Sequence, residues 1–280
     1  MLSRYVILSR YLVVAACLIS CGTVQVYKEP GEPIFLSNQI KGTPVDTDSI
    51  NVVTFNIKEA EKIDLAISEL QQLEKKHPID VYLLQEVDEK GVEMLATQLK
   101  LNYLYIPIVY NKIVKKNIGN AILTKGTIGH PEKLILPHSK WVNSRRRHAV
   151  IAEVSIHQRK ILVFSTHTET ASMGRKKRMD QVDAMIENAE KKFSTYGHIL
   201  IGGDFNALFK GDVRRLVEKF DASGFEWATD SVGPTASAMF GLVKPKHDHI
   251  FSKGFKVIQA FTVKSSRASD HYPVFASFRY

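Results

Sequence analysis

From residue 50 onward the chain alternates short apolar runs with stretches in which apolar residues recur every three or four positions. Ile50 to Ile57 is a run of branched and aromatic residues and predicts a strand. Glu59 to Lys76 places Ile63, Ala66, Ile67, Leu70 and Leu73 on one helical face, and His77-Pro78 stops it. Ile79 to Glu86 predicts a second strand, apolar until its polar end, and Asp88 to Lys100 a second helix. Tyr103 to Val109 and Gly119 to Thr124 predict strands around a basic loop, Lys112 to Lys116. His148 to Ile156 and Lys160 to His167 predict paired strands joined by a short polar turn. Ser172 to Lys192 predicts a long helix. Its first turns are crowded with basic residues, which oppose the helix dipole there and are read as a solvated face. His198 to Gly202 is a strand, Asp212 to Phe220 a helix, and Ala222 to Lys246 a loop. Asp248 to Phe251, Phe255 to Val263 and Pro273 to Phe278 close the chain as strands.

Many strands with a few interspersed helices predict an α+β sandwich of two sheets with helices outside. No shift in composition divides residues 50–280, which are read as one domain. Residues 22–49 are rich in Pro, Gly and polar residues without a period, and are read as a flexible tether. Upstream, Arg4 and Arg10 precede an apolar run, Tyr11 to Ile19, which is too short to span a bilayer and right for a secretory signal. The run ends Leu18-Ile19-Ser20-Cys21-Gly22, which resembles the lipobox of bacterial lipoproteins, with Cys21 as the lipidated residue. Cys17 sits in a second, poorer match. The expected location is the bacterial cell envelope, anchored to a membrane through residues 1–21; a plain signal peptide and a secreted protein are the alternatives.

The 280 residues include 38 Lys and Arg against 29 Asp and Glu, a formal charge of +9. This balance favours an acidic partner: nucleic acid, a phosphorylated substrate or an anionic membrane surface. The chain's 2 cysteines are Cys17 and Cys21, so the domain beyond has no disulfide, no thiol nucleophile and no cysteine-bound zinc or iron–sulfur site.

The strand ends carry the candidate chemistry. The strand at 50–57 offers Asn56, the one at 79–86 offers Glu86 after Gln85, and the one after Lys160 ends Ser165-Thr166-His167. Ile199-Leu200-Ile201-Gly202-Gly203 leads into Asp204-Phe205-Asn206; strand alternation would point the two polar side chains one way and Phe205 into the core. Asp248 and Ser269-Asp270-His271 follow. Singly, each has a plain reading as a cap, a surface charge or a structural histidine. Jointly they are carboxylates, carboxamides and imidazoles available to meet at one edge of a sandwich.

In this order, Thr54-Phe55-Asn56-Ile57, Leu84-Gln85-Glu86-Val87, Gly119-Asn120-Ala121-Ile122-Leu123, Thr166-His167, Gly203-Asp204-Phe205-Asn206, Asp248-His249-Ile250-Phe251 and Ser269-Asp270-His271-Tyr272-Pro273 resemble the motifs of the endonuclease/exonuclease/phosphatase superfamily. The resemblance covers residues 50–280 and implies the deoxyribonuclease-I-like four-layer α/β/β/α sandwich. It implies hydrolysis of phosphate esters by activated water with a divalent cation, Mg2+ first, with Mn2+ or Ca2+ as alternatives. By the same resemblance Glu86 is the main metal ligand, assisted by Asn56 and Asp270. Asp204 orients or deprotonates the attacking water. His271, paired with Asp248, is the second candidate base, and the choice between them stays open. Asn206 donates to phosphate oxygens, and His167 acts near the leaving group. Asn120 and Arg147 contact phosphate or hold neighbours in place, with Arg145 and Arg146 as competing assignments. His167, where the repair branch has asparagine, points toward the deoxyribonuclease and sphingomyelinase branches. His249 stands where the family has tyrosine. The expected activity is that of a phosphodiesterase such as a nuclease, with a phospholipid, sphingomyelin or inositol-phosphate phosphoesterase as the alternative; the expected partner is a phosphate ester, nucleic acid before a lipid headgroup, and the expected state is a monomer. The basic stretches Lys112 to Lys116, Arg145 to Arg147 and Arg175 to Arg178 either track a phosphate backbone or are ordinary surface charge. A non-catalytic binding protein on this fold is the competing class.

Overall fold

A computed structural model describes residues 24–41, 47–139, 145–238 and 241–280. Cys17, Cys21 and the signal-like segment lie outside the described residues. The strands are β1 (Val24–Val26), β2 (Phe35–Ser37), β3 (Ser49–Asn56), β4 (Val81–Val87), β5 (Asn102–Asn111), β6 (Lys116–Thr124) and β7 (Thr127–Ile135). They continue with β8 (His148–Ile156), β9 (Arg159–His167), β10 (Ile199–Asp204), β11 (Glu226–Trp227), β12 (Asp248–Lys253), β13 (Lys256–Thr262) and β14 (Val274–Arg279). The helices are α1 (Ile63–Lys76), α2 (Glu89–Leu99), α3 (Arg175–Tyr196) and α4 (Lys210–Ala222).

One sheet runs β1-β5-β6-β4-β3-β14-β13, with β2 also on β5; the other runs β11-β12-β10-β9-β8-β7. The two stack face to face. Alternation explains why the central strands are apolar throughout. In β3, Ile50 and Val52 face the other sheet, while Val53 and Phe55 face helices. Ile50, Val52, Leu83, Ile122, Val163, Leu200 and Ile250 form the inter-sheet layer. Leu70 of α1 and Leu95 of α2 cover Phe55, Tyr82 and Leu84 on one outer face. Met185 of α3 and Leu216 and Phe220 of α4 cover Phe164, Ile201 and Phe251 on the other. The result is the expected four-layer α/β/β/α sandwich.

Three local expectations need correction. The segment read as a tether is partly built into the sheet: Val24 pairs with Asn111 and Phe35 with Tyr105. The buried Lys133 ammonium also donates to the carbonyls of Glu29 and Glu32, at 3.0 and 3.0 Å. Strands of three residues leave no periodicity to read. Strand β7 was not expected, because Gly129-His130-Pro131 interrupts it; its register with β8 shifts between Gly129 and Glu132. It lies at the sheet edge, where proline is tolerated. The first helix begins at Ile63, four residues late. Lys58, Glu59 and Ala60 instead take positive φ in a tight turn, and the Lys58 amide donates to Asn56 Oδ1 at 3.0 Å.

Candidate active site

Strand pairing explains why distant motifs meet. Strand β10 lies between parallel β9 and antiparallel β12, in a register that sets Asp204 level with both His167 and Asp248. In the facing sheet, β3 and β4 run parallel, with Asn56 opposite Gln85. A break in the β4–β6 register between Leu84 and Val87, with φ of 52° at Glu86, turns the Glu86 side chain out of simple alternation. Glycines let these strand ends come together. A Cβ on Gly202 would lie 2.6 Å from the Leu83 side chain in the other sheet. One on Gly203, where φ is 149°, would lie 1.9 Å from the Thr166 carbonyl. The approach lets Asn56 Nδ2 donate across the sheets to Asp204 Oδ2 at 3.1 Å.

Asp204 is the meeting point. Its Oδ1 accepts from the Asn206 amide at 2.8 Å. Its Oδ2 lies 3.4 Å from His167 Nε2 and 3.8 Å from His271 Nε2. Burial pushes an acid up, but the charged His271 imidazole and the hydrogen bond from the Asn206 amide overcome it here and hold Asp204 well below the usual carboxylate range. His271 Nδ1 contacts Asp248 Oδ2 at 2.9 Å. Burial opposes charging of His271, yet Asp248 and Asp204 prevail and push it up to about 10. Thr235 Oγ1 accepts from the amides of His247 and Asp248, which fixes the start of β12.

His167 is the opposite case. Arg147 Nη1 lies 3.1 Å from its Nδ1, which assigns that nitrogen as an acceptor and leaves the proton on Nε2, facing Asp204. Burial, with Arg147 beside it, holds His167 well below its ordinary value, so it is neutral. Arg147 is itself held by the buried Glu169, Nε to Oε1 at 3.1 Å. Glu86, Asn120, Arg145, Arg147 and His167 line one small space of about 210 Å³, including its open mouth. Asn120 Nδ2 donates to the His148 carbonyl at 3.1 Å.

The structure therefore brings Asn56, Glu86, Asn120, Arg147, His167, Asp204, Asp248 and His271 to one edge of the sandwich. Asn206 joins them in a left-handed conformation (φ 48°), its Nδ2 donating to the Thr168 carbonyl at 2.9 Å. Phe205 points into the core against Phe220 and Phe251, as alternation predicts. Asp270 is the outlier. It is exposed, and its Oδ1 accepts from the Ser269 hydroxyl at 3.3 Å; it stands apart from Glu86 and Asn56.

The donor set suits a hard cation. Among the described residues no donor hydrogen-bonds the Glu86 carboxylate, and His167 Nδ1 comes only to 3.7 Å. Burial raises the Glu86 pKa and the like charge of Asp204 adds to this, against Arg147 and Arg145. A cation bound there would reverse that penalty. Oxygen atoms of Asp204 and Asp248 and a nitrogen of His271 also lie within 4.8 Å of one another. There the His271 Nδ1 and Asp248 Oδ2 atoms are spent on each other at 2.9 Å.

Sequence reasoning missed several supports. The basic start of α3 is not all a solvated face. Arg178 is buried; its Nη1 donates to the Asn206 carbonyl and its Nη2 to Asp212 Oδ2, both at 2.8 Å. Arg175 donates to the same carboxylate, Nε to Oδ1 at 2.6 Å. Beneath the cleft, Gln85 Nε2 donates to Ser165 Oγ at 3.2 Å, and Ser165 Oγ to the Leu84 carbonyl at 3.1 Å, bridging the sheets. Gln85 and Ser165 carry no charge and read as mere neighbours of Glu86 and His167; a polar pair inside otherwise apolar strands is the available signal.

Residues 53–271 match the profile of the Endonuclease/Exonuclease/phosphatase family, and the chain belongs to that family. It is by that membership a phosphoesterase-type hydrolase. No curated protein matches its sequence. Similar solved structures include a family member from Leptotrichia buccalis C-1013-b, with TM-score 0.67 and 17% identity over 82% of this chain and 100% of that one. D. rerio TDP2 complexed with single strand DNA product gives TM-score 0.67 and 14% identity over 84% and 100%. A family member from Bacteroides thetaiotaomicron gives 0.62 and 19% over 82% and 97%. At these identities the likeness shows a shared fold.

Proposed function

We propose that this chain is a divalent-metal-dependent phosphodiesterase of nuclease type, in which water attacks phosphorus in line with the leaving oxygen. The observation that carries this reading is the convergence on the Asp204 carboxylate at the sandwich edge, where its Oδ2 lies 3.4 Å from His167 Nε2 and 3.8 Å from His271 Nε2 and accepts from Asn56 Nδ2 at 3.1 Å. Asp204, ionised, orients the attacking water through its Oδ2, which lies at the meeting point of His167 and His271. His271, fixed by Asp248, arrives charged, and offers Nε2–H to the negative charge that builds on the phosphate. His167 offers its Nε2 side toward the leaving group, with Arg147 holding the ring. Asn206 spends one amide hydrogen on Thr168 and keeps the other for a phosphate oxygen. Asn120 is placed the same way by His148. Glu86, with Asn56, would hold the cation, which would neutralise charge on the phosphate and the leaving oxygen.

The +9 charge supports nucleic acid as substrate, as does the fold shared with a TDP2 complexed with single strand DNA product. The test is a panel of plasmid DNA, RNA, sphingomyelin, phosphoinositides and a simple phosphodiester, each with and without Mg2+. Wild type runs beside Glu86→Ala and His271→Ala. Full activity in both variants would overturn the site. Lipid cleavage with DNA untouched would overturn the nuclease preference. The lipobox-like Leu18-Ile19-Ser20-Cys21 also supports anchoring to an envelope membrane through an acylated Cys21. Cys21→Ser should lose that acylation, and an unchanged acyl mass would refute it.

A further inference from the structure

We infer that the β5–β6 hairpin tip docks on an anionic membrane surface and holds the cleft toward it; this rests on the reading of Cys21 as the anchor. The tip is Lys112-Ile113-Val114-Lys115-Lys116. Ile113 is 72% exposed and Val114 50%, side by side at the turn between the two strands. Lys112 and Lys115 form no ion pair among the described residues, while Lys116 binds Asp88 at 2.9 Å.

The path of the chain puts the anchor at the same place. Strand β1 pairs with β5 in a register that sets Val24 opposite Asn111, the residue before the tip. That start is firmly held. Val24 packs on Ile108, Val109 and Ile118, and the Tyr27 hydroxyl donates to Asn117 Oδ1 at 2.9 Å. Cys21 precedes Val24 by three residues, a reach of at most about 10 Å. A lipid on Cys21 therefore draws this corner, and no other, onto the bilayer.

The composition of the tip suits that surface. Aliphatic side chains gain from the boundary between headgroups and acyl chains, and lysines gain from anionic lipid. A nucleic-acid backbone would reward the lysines and leave Ile113 and Val114 without a partner. The tip also lies at the cleft's end of the sandwich. Asn120 is on β6, four residues from Lys116, a rise of about 13 Å. Docking at the tip brings the cleft mouth close to the headgroups, and a phosphate ester at the membrane surface within reach.

The full chain, reconstituted in vesicles, carries an environment-sensitive fluorescent amino acid at Ile113 or, as control, at Ser194. Ser194 is exposed near the end of α3, away from the cleft. The expected result is blue-shifted emission at Ile113 on phosphatidylglycerol-containing vesicles and none at Ser194, with the shift lost in Lys112→Gln/Lys115→Gln. An acylated chain whose Ile113 probe stays unshifted overturns the docking and leaves the anchor standing. A shift of equal size on neutral vesicles overturns the anionic assignment. A shift with oligonucleotide and none with vesicles assigns the tip to nucleic acid and overturns the proposal. The N-terminal peptide mass reads acylation separately, so a shifted probe on an unacylated chain supports the tip and sinks the anchor.

Discussion

Two hydrogen bonds and two imidazoles surround the Asp204 carboxylate, and together they decide its charge. Asp204→Asn keeps the shape and removes the charge. Its kcat on a cleaved phosphodiester should fall about 10²–10⁴-fold, with a circular dichroism spectrum like that of wild type. His271 carries a second expectation. Its folded pKa is raised, so the stabilisation it gives is complete below its ordinary 6.5 and is lost as pH rises through about 10. Melting temperature followed from pH 6.5 to 10 should decline in wild type and stay flatter in His271→Gln; parallel curves would contradict the His271–Asp248 pair. Asp204, His167 and Asp248 were legible because a charged or imidazole group at the end of an apolar strand has few bland uses in such number, and His271 because it follows Ser269-Asp270 just ahead of the last strand. Arg178 was not, because its role depends on where the Asn206 carbonyl lands, 28 positions away in the chain.

At the scale of elements, glycine sets how closely strands approach. Gly203→Ala forces a methyl into the Thr166 carbonyl in a backbone conformation that alanine avoids. It should destabilise the protein by more than about 1 kcal/mol in denaturant unfolding, and separate Asp204 from Asn56 and His167. Wild-type stability would refute the close approach of β9 and β10. The α3–α4 pair depends on charge. Arg178→Met leaves Asp212 with Arg175 alone and frees the Asn206 carbonyl. The cost should be about 1.5–3 kcal/mol, together with a raised KM as Asn206 loses its support. The long central strands and amphipathic helices were readable because each buries a face with its own period. Strands β1, β2 and β7 were not. Three residues carry no period, and Pro131 masks an edge strand.

Across the whole molecule, two stacked sheets present the ends of β3, β4, β9, β10, the start of β12 and Asn120 of β6 at one edge, and loops need supply little of the site beyond Arg147, Asn206 and His271. That arrangement explains why polar residues separated by more than 200 positions, Asn56 and His271, serve one cleft. It also explains why the motifs were readable as a set although each alone was weak. What they bind was less readable, because a cleft built to hold a phosphate says little about the groups on either side of it. Hydrolysis of a simple phosphodiester in the presence of Mg2+ tests the central claim most directly, with wild type beside Glu86→Gln and Asp204→Asn and each assay repeated after EDTA. The expected result is turnover by wild type that EDTA abolishes and that both variants lose by about 100-fold or more. Turnover indifferent to EDTA and equal in all three proteins would contradict it.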